Sequence, residues 1–467
     1  MNNMTTPIID FVSGYVGEET LRLHMPGHKG KSYLGFEERD ITEIKGADSL
    51  YEADGIIKES EDNASKLFGC RTYYSTEGSS HCIRAMVYLC AVYAKSKGKK
   101  PCISAFRNVH KTFLSAVAMT DCEVHWLCGD DETYLSCSVS EEFLENHLKE
   151  HEGEITAVYL TSPDYLGKIA DIKALSRVCH KHGVLLVVDN AHGAYLKFLP
   201  KSQHPIDLGA DICCDSAHKT LPVVTGGAYL HLGKNAPIQD EATVRGSLGL
   251  FGSTSPSYLI LQSLDHCNRL LAGEYPQQIA RICKVLQALR SELNAVAVTK
   301  GCPAPFALET GACEPLKLTL DAASIGQTGD FLAGLLRSGG LECEYADPRY
   351  VVLMFTPYNL SADFEHLREL LLAQLNALSA PPHIPDNKSD LFLHLEQQLK
   401  TCCSIRQAVF APQIRIPVRQ ALGRICAMPT VSCPPAIPIV VSGEQITEAA
   451  VELMVQYQIN EVSVLNS

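Results

Sequence analysis

A strand, a helix and a second strand follow one another between residues 155 and 189, and this order constrains the fold more than any other feature. Apolar residues fill 155–160 and 184–188. Between these runs Asp171 is typical of a helix cap, Gly183 is typical of a helix stop, and apolar residues recur at helical spacing. Such a unit predicts an α/β fold with a mostly parallel sheet. Ligands of these sheets gather at the carboxyl ends of the strands.

Two charged side chains follow predicted strands of this sheet. Asp189 closes the apolar run 184–188, and Lys219 follows the short run 212–214. A partly desolvated lysine amine can form a Schiff base with a carbonyl cofactor, because burial lowers its pKa. Pyridoxal phosphate (PLP) also needs a carboxylate that keeps its ring nitrogen protonated. The pair therefore indicates a PLP site, although alone Asp189 fits a turn cap and Lys219 a surface lysine.

Polar and small residues accompany both charged side chains. Ser216 and His218 place a hydroxyl and an imidazole beside Lys219, and His192 follows Asp189. Gly226 and Gly227 lie a few residues further on and permit close approach of backbone segments. This density of polar groups favours a binding site over an ordinary surface loop.

A second polar stretch opens a predicted helix. Gly78, Ser79 and Ser80 follow a strand-like TYY run, and apolar residues then recur at helical spacing as far as Ala94. The N–H groups, hydroxyls and positive dipole end of such a helix form a cradle for phosphate. An ordinary serine helix cap is the alternative interpretation.

Six stretches, in order along nearly the whole chain, resemble the ornithine/lysine/arginine decarboxylase family. They are LHMPGHKG at 23–30, FRNVHKT at 106–112, VVDNAHGA at 187–194, SAHKT at 216–220, and GRICAMP with PPAIPIVVSGE near the C-terminus. The resemblance implies a PLP-dependent enzyme with the aspartate-aminotransferase-like fold, in the short bacterial form. It implies a large domain with a mostly parallel sheet, a smaller α/β domain and a C-terminal decarboxylase domain.

The expected domain organisation has four segments. An N-terminal segment spans 1–30, the PLP-binding large domain 31–265, the small α/β domain 266–380 and the C-terminal domain 388–467. Prolines and polar residues at 379–390 are typical of a linker.

The resemblance also assigns roles to residues that their own neighbourhoods do not define. Ser79 and Ser80 are expected to bind the cofactor phosphate, and His110 to stack on the pyridine ring. Without the family, His110 is typical of an ordinary loop histidine. Thr254 and Ser255 are expected to reach the cofactor phosphate of a partner subunit, which implies a homodimer or a higher homo-oligomer.

Three acidic residues qualify this assignment. Glu444 is the candidate reader of the distal cation of the substrate, although a solvated turn glutamate is an equal alternative. The family usually has Asn where this chain has Glu77, and a carboxylate beside a phosphate repels it unless it points away. It more often has Thr where this chain has Asp164. These departures keep open a catalytically weak homologue that binds the cofactor.

Composition narrows the classes of partner. The net charge is −13, from 40 basic and 53 acidic residues, which disfavours nonspecific nucleic-acid binding and is compatible with a cationic substrate. The 19 cysteines lack the spacing of a disulfide framework or of a metal site, and no secretory leader or membrane-spanning run is evident. We therefore expect a cytoplasmic protein with free thiols, no metal and no membrane association.

The resulting functional hypothesis is PLP-dependent decarboxylation of a basic amino acid, arginine or lysine before ornithine, in polyamine metabolism. Lys219 is expected to hold the cofactor and Asp189 its ring proton, while Lys219 or a neighbouring histidine, His218 being one candidate, returns a proton to Cα. Another PLP reaction on the same fold, such as transamination or elimination, is the alternative enzyme activity.

Overall fold

The structure is a computed structural model. It describes residues 4–18, 20–129, 131, 133–309, 313–378, 395, 398, 400–430 and 435–466. The predicted linker at 379–390 lies outside the described residues.

Strands and helices alternate through most of the chain. The strands, labelled β1 to β13, are Arg71–Ser75, Cys102–Phe106, Glu123–Leu127, Ala157–Thr161, Leu185–Asp189, Ile212–Asp215, Ala228–Leu232, Lys317–Asp321, Tyr345–Ala346, Tyr350–Met354, Gln413–Pro417, Cys426–Met428 and Glu461–Leu465. The helices, labelled α1 to α15, are Pro7–Gly17, Ile56–Phe68, Gly78–Ser96, Lys111–Thr120, Glu141–Glu150, Ile172–Lys181, Pro205–Leu208, Ala217–Thr220, Glu241–Phe251, Tyr258–Leu271, Tyr275–Thr299, Gly329–Ser338, Ser361–Asn376, Ile405–Phe410 and Glu448–Gln456.

The first seven strands form one sheet in the order β1-β7-β6-β5-β4-β2-β3. Strands β5 and β6 are parallel, with Asp189 opposite Cys214, whereas β7 is antiparallel to both β6 and β1. The sheet is mostly parallel, which confirms the predicted α/β class. Since β5 and β6 are parallel neighbours, the turns that follow them emerge at the same edge of the sheet.

The predicted strand–helix–strand unit is confirmed. Strands β4 and β5 are neighbours in the sheet, and α6 lies between them in the sequence. The Asp171 side chain accepts a hydrogen bond from the backbone N–H of Ala174 at 3.0 Å and caps α6. Apolar residues of α6 are buried on one face, among them Leu175 and Val178, so tertiary packing follows the apolar periodicity of the sequence.

Strand β6 is buried along its whole length. Cys213 and Cys214 occupy its centre and have no exposed surface. Burial raises the pKa of both thiols well above the ordinary value. Both cysteines are therefore protonated and act as small apolar residues.

The chain divides into two compact units. The first comprises residues 1–103, 144–159 and 171–277, and the second comprises 104–143, 160–170 and 278–467. The first has an aromatic core around Phe68, whose ring centre lies 4.4 Å from that of His231 and 5.2 Å from that of Tyr229. The four predicted domain segments stay a prediction.

The second unit contains two further sheets, each of three antiparallel strands. Their orders are β8-β10-β9 and β11-β13-β12. A cluster of buried apolar residues in this unit includes Tyr134, Tyr345 and Val464. No described helix is long and apolar enough to cross a membrane.

Candidate active site

Lys219 lies in the short helix α8, immediately after β6. Its Nζ atom is 3.0 Å from Nε2 of His192, which follows the end of β5. The parallel register of β5 and β6 brings the two turns together, as the sequence predicts for strand ends. An amine and an imidazole at this distance can exchange a proton directly.

Asp189 is the last residue of β5, and its side chain is buried. Oδ1 accepts a hydrogen bond from the backbone N–H of Ala191 at 3.1 Å, and Oδ2 accepts one from the hydroxyl of Tyr159 at 3.4 Å. Burial raises the pKa of Asp189, and the positive charge of Lys219 opposes that rise. A buried carboxylate with a raised pKa is stabilised by any cation placed against it. The Tyr159 hydroxyl reaches Asp189 from the neighbouring strand β4, a contact that no local sequence pattern predicts.

The turn of Lys219 is joined to the start of α3 by a hydrogen bond between serines. The Ser216 hydroxyl donates to Oγ of Ser79 at 2.8 Å. Gly78, Ser79 and Ser80 form the first residues of α3, as predicted. Glu77 precedes the helix, and its side chain makes no capping hydrogen bond to the first turn of α3. The candidate phosphate cradle and the candidate cofactor lysine therefore belong to one site.

Two glycines hold the cradle in place. The N–H of Gly78 donates to the carbonyl of Gly226 at 2.7 Å, and the φ angles of these residues are +71° and +104°. A Cβ atom on Gly226 would lie 2.9 Å from the carbonyl oxygen of Thr76. A side chain at position 226 is therefore disfavoured both by the backbone conformation and by this close contact.

Glu77 points toward a neighbouring loop. Its Oε1 accepts a hydrogen bond from the backbone N–H of Ser253 at 2.6 Å. The same loop contains Thr254 and Ser255, and the N–H of Ser255 donates to the Ser253 hydroxyl at 3.2 Å. The roles of Thr254 and Ser255 toward a partner subunit stay predictions.

His218 is fixed by backbone contacts beside Lys219. The backbone N–H of His218 donates to the carbonyl oxygen of Gly227 at 3.2 Å, and the ring Nδ1 is 3.0 Å from the same oxygen. The Nδ1 proton therefore points at that carbonyl, which leaves Nε2 as the atom able to accept a proton. His192 is an imidazole in contact with the Lys219 amine, and the catalytic role of His218 stays a prediction.

His110 and Asp164 belong to the second unit. His110 precedes α4, and its Nδ1 accepts from the backbone N–H of Thr112 at 3.2 Å. Asp164 is buried and accepts from the Ser136 hydroxyl at 2.5 Å and from the N–H of Lys168 at 2.8 Å. Burial raises the pKa of Asp164, while these donors oppose the rise. Asp164 thus stabilises a turn of its own unit, and the stacking role of His110 stays a prediction.

Glu444 is buried in the second unit, in an ion pair. Oε2 of Glu444 lies 2.9 Å from an Arg107 guanidinium nitrogen and accepts from the N–H of Val441 at 2.8 Å. Oε1 has no hydrogen-bond partner among the described residues. Burial raises the pKa of Glu444, and Arg107 opposes the rise. One oxygen is thus committed to Arg107, and the substrate role of Glu444 stays a prediction.

The site brings together the amine of Lys219, the imidazole of His192 and the buried carboxylate of Asp189 at adjacent strand ends. Such a site in a mostly parallel sheet indicates an α/β enzyme. Two family models match the chain: the Orn/Lys/Arg decarboxylase major domain over residues 6–307 and the C-terminal domain of the same family over residues 388–461. The chain belongs to the Orn/Lys/Arg decarboxylase family, and it is a decarboxylase.

Individual relatives agree with this family. An arginine decarboxylase of Bacillus subtilis is 29% identical over 96% of this chain and 92% of its own length. The Francisella novicida lysine decarboxylase structure has a TM-score of 0.80 at 17% identity, covering 100% of this chain and 82% of that chain. A serine palmitoyltransferase variant from S. paucimobilis, with a PLP–myriocin aldimine bound, has a TM-score of 0.53 at 15% identity, covering 81% of this chain and 86% of that chain. The structural likenesses show the fold.

Proposed function

We propose that this chain is a PLP-dependent arginine decarboxylase, with lysine as the next candidate substrate and ornithine after it. The observation that carries the proposal is the 3.0 Å contact between Lys219 and His192, beside the buried carboxylate of Asp189. The arginine preference rests on the name of the Bacillus subtilis relative.

The donor set of the site fits PLP. The buried carboxylate of Asp189, with its raised pKa, matches the protonated ring nitrogen of PLP, because a cation there offsets the cost of burying the charge. Glu77 does not cap the first turn of α3 and the N–H of Gly78 is bonded to Gly226, so a phosphate would bind at Ser79 and Ser80. Lys219 supplies the amine to which a carbonyl cofactor attaches.

Bound PLP supplies the electron sink for the charge left on Cα when the substrate carboxylate departs as carbon dioxide. Asp189 keeps the ring nitrogen protonated and so maintains that sink. His192 holds or removes a proton at Nζ of Lys219, which controls when the amine is nucleophilic. We assign the return of a proton to Cα to Lys219 or His218. The phosphate is assigned to Ser79 and Ser80.

The remaining features of the proposal concern substrate charge and assembly. An acidic chain with a net charge of −13 attracts a cationic amino acid. We retain Glu444 as the candidate for the distal cation through its Oε1, which has no hydrogen-bond partner in the part of the chain that the structure describes. We further propose a homodimer or higher homo-oligomer in the cytoplasm, with a role in polyamine formation and with Thr254 and Ser255 directed toward the partner subunit.

A direct experiment combines purified protein, PLP and each of arginine, lysine and ornithine. We expect carbon dioxide and the corresponding amine, with arginine turned over fastest. A keto acid product would indicate transamination, and cofactor binding without turnover would indicate a weak homologue. Borohydride reduction followed by peptide mapping should place the cofactor on Lys219. Label on a different residue would overturn the assignment.

The electron-sink role of Asp189 gives a sharper prediction. Asp189→Ala should lower kcat at least about a hundredfold, because the ring nitrogen loses its counter-charge, while measurable PLP binding persists. Absorbance titration with PLP and steady-state assays measure the two effects separately. Asp211→Ala is a matched control, since Asp211 is also a buried carboxylate of the first unit. Wild-type kcat in Asp189→Ala would contradict the assignment.

A further inference from the structure

Three buried side chains meet behind the turn that carries Lys219. Asp215 is the last residue of β6, His231 lies on β7, and His204 precedes α7. All three side chains are 0% exposed. Nε2 of His204 and Nε2 of His231 are each 3.0 Å from Oδ2 of Asp215. A single carboxylate therefore accepts from two imidazoles.

The outer contacts of this cluster assign its protons. The N–H of Ile206 donates to Nδ1 of His204 at 3.3 Å, so the His204 proton lies on Nε2 and points at Asp215. Burial acts to raise the pKa of Asp215, but His204 and His231 outweigh it and hold that pKa well below the ordinary value. An ionised carboxylate has no proton to donate, so both imidazoles donate to it. With its proton on Nε2, His204 does not offer that atom as a metal ligand, so the contacts of the cluster are those of a hydrogen-bonded network.

The second oxygen of Asp215 is directed at the neighbouring strand end. Oδ1 accepts from the side-chain amide of Asn190 at 2.7 Å. Asn190 is fully buried, its N–H donates to the carbonyl of Cys214 at 2.9 Å, and its carbonyl accepts from the N–H of Gly193 at 2.8 Å. A Cβ atom on Gly193 would lie 2.0 Å from Oδ1 of Asn190. The side chain of Asn190 is thus oriented by one hydrogen bond from its Nδ2 to Asp215 and by the close packing of Gly193 against Oδ1, while Oδ1 has no hydrogen-bond partner among the described residues.

Asn190 lies at the centre of the turn that faces Lys219. Asp189 precedes it, and Ala191, whose N–H donates to Asp189, follows it. His192, in contact with Nζ of Lys219, is the next residue. On the other strand Asp215 is followed directly by Ser216, whose hydroxyl donates to Ser79. Asp215 is therefore linked to both turns that form the site. It contacts the 189–192 turn through the side-chain amide of Asn190, and it is joined to the Lys219 turn by its peptide bond to Ser216.

We propose that Asp215 is a positioning residue of the decarboxylase: its carboxylate, fixed by His204 and His231, orients Asn190 and so sets Asp189 and His192 against Lys219. This inference rests on the proposed function. It predicts that loss of the Asp215 charge changes cofactor binding and the rate of chemistry through the geometry of the 189–192 turn.

The test compares Asp215→Asn with Asp211→Asn in the full-length chain. Asp211 is a matched control, because it lies just before β6 at the opposite end, is buried, and accepts from Nε2 of His180 at 2.9 Å and from the N–H of Leu186 at 2.8 Å. We expect Asp215→Asn to weaken PLP binding to the apoprotein and to lower kcat, each by about tenfold to a hundredfold, with little change in KM. The control should keep wild-type values of both.

A double-mutant cycle separates positioning from a general loss of stability. If Asp215 acts through Asn190, then Asn190→Ala alone should reproduce the losses in PLP affinity and kcat. Adding Asp215→Asn to Asn190→Ala should cause little further loss. The inference is overturned if the two losses multiply, or if Asp215→Asn matches Asp211→Asn in PLP affinity and kcat.

Two further outcomes are informative. If Asp215→Asn fails to fold, Asn190→Ala decides the question alone, because it leaves the carboxylate and both imidazoles intact, and normal PLP affinity in that variant overturns the inference. If the wild-type chain neither binds PLP nor releases carbon dioxide, the proposed function fails, and this inference fails with it. Wild-type activity combined with neutral variants refutes the positioning role only.

Discussion

Glu77 carries a charge that opposes phosphate binding and a contact that supports the site. The carboxylate precedes the first turn of α3, where a cofactor phosphate is proposed to bind. Its Oε1 accepts from the N–H of Ser253, so the side chain is directed at the 252–257 loop. The repulsion expected from the sequence is thereby reduced by orientation, but it is not removed, because the charge remains close to the helix end.

Glu77→Gln should separate these two effects. The amide oxygen can still accept from Ser253, whereas the negative charge is lost, so we expect PLP to bind about two- to fivefold more tightly at low salt. The gain should shrink toward zero near 1 M salt, where the Debye length is about 3 Å. Fluorescence titration of the apoprotein measures the affinity. Glu274→Gln, which removes an exposed charge elsewhere in the same unit, should leave it unchanged.

Local sequence signals found several of the site residues. Asp189 ends an apolar strand, and His192 and Lys219 each follow one. The apolar periodicity and the position of these residues at strand ends predict that they lie close together. The bond between Ser216 and Ser79 joins residues separated by 137 positions, and no local pattern encodes that distance. The same limit applies to Asp215, which the sequence presents only as the polar end of a strand.

The turn between α8 and β7 determines where helix α3 begins. Gly226 has a φ of +104°, and its carbonyl accepts from the N–H of Gly78. A residue with a side chain would be strained there and would press on the carbonyl of Thr76, 2.9 Å away. The start of the helix that forms the candidate phosphate cradle thus depends on one glycine in another element.

Gly226→Ala should lower the free energy of unfolding by about 1 to 3 kcal/mol, because a left-handed backbone and a backbone contact are both penalised. It should also weaken PLP binding, since the position of Gly78 shifts. Gly98→Ala is the control: its φ is +68°, and no atom lies within 4 Å of the added Cβ. We expect a smaller loss of stability in the control and unchanged PLP affinity. Equal denaturant midpoints for the two variants would be inconsistent with the contact argument.

A buried carboxylate joins three helices of the first unit. Oδ2 of Asp265, on α10, accepts from the N–H groups of Ile8 and Ile9 at the start of α1, at 3.0 and 3.1 Å. Oδ1 accepts from the hydroxyl of Ser60 on α2 at 2.6 Å. Burial raises the pKa of Asp265 to about 6, although these donors favour the charged form.

This raised pKa gives stability a defined pH dependence. Between pH 4 and 6 the folded chain holds a proton on Asp265 that the unfolded chain has released, so the contribution of Asp265 to stability falls as pH rises through this window. We expect the stability of wild type relative to Asp265→Asn to decline by about 1 to 3 kcal/mol from pH 4 to pH 7. Urea unfolding at several pH values measures it. A constant difference, or one that grows with pH, would argue against the raised pKa.

At the scale of the whole molecule, the N-terminal segment is unusually apolar at its surface. Leu23 is 84% exposed. Further large apolar side chains exposed between residues 21 and 36 are Leu21, Met25, Tyr33, Leu34 and Phe36. Several exposed large apolar side chains within one short stretch of sequence are typical of an association surface. The exposure of these side chains supports the proposed homodimer.

Leu23→Glu should therefore weaken self-association by at least about tenfold, because a charge replaces an apolar side chain buried in the proposed dimer. Sedimentation velocity over a range of concentrations measures the dissociation constant. Met119→Glu is the control, since Met119 is also exposed, at 59%, but lies on a helix of the second unit. A monomeric wild-type chain would refute the proposed assembly, and equal association of both variants would exclude this segment from it.

Fold class was the most accessible property of the whole chain. The unit at 155–189 was sufficient to predict a parallel sheet, since helix and strand periods are local and burial follows them. The division into compact units is harder to predict from sequence, because residues 104–143 and 160–170 belong to the same unit as 278–467, whereas the intervening residues 144–159 belong to the other unit. Such interleaving depends on contacts between distant segments, and a linear reading of composition cannot locate it.

Chemical modification of the two thiols inside β6 measures how often this strand opens to solvent. Cys213 and Cys214 are sealed from solvent and kept protonated by burial, so an alkylating reagent meets them only when the sheet separates at this strand. Lys219 follows the same strand after a few residues. The rate at which these thiols are alkylated is therefore a measure of how often the strand that positions Lys219 unfolds locally.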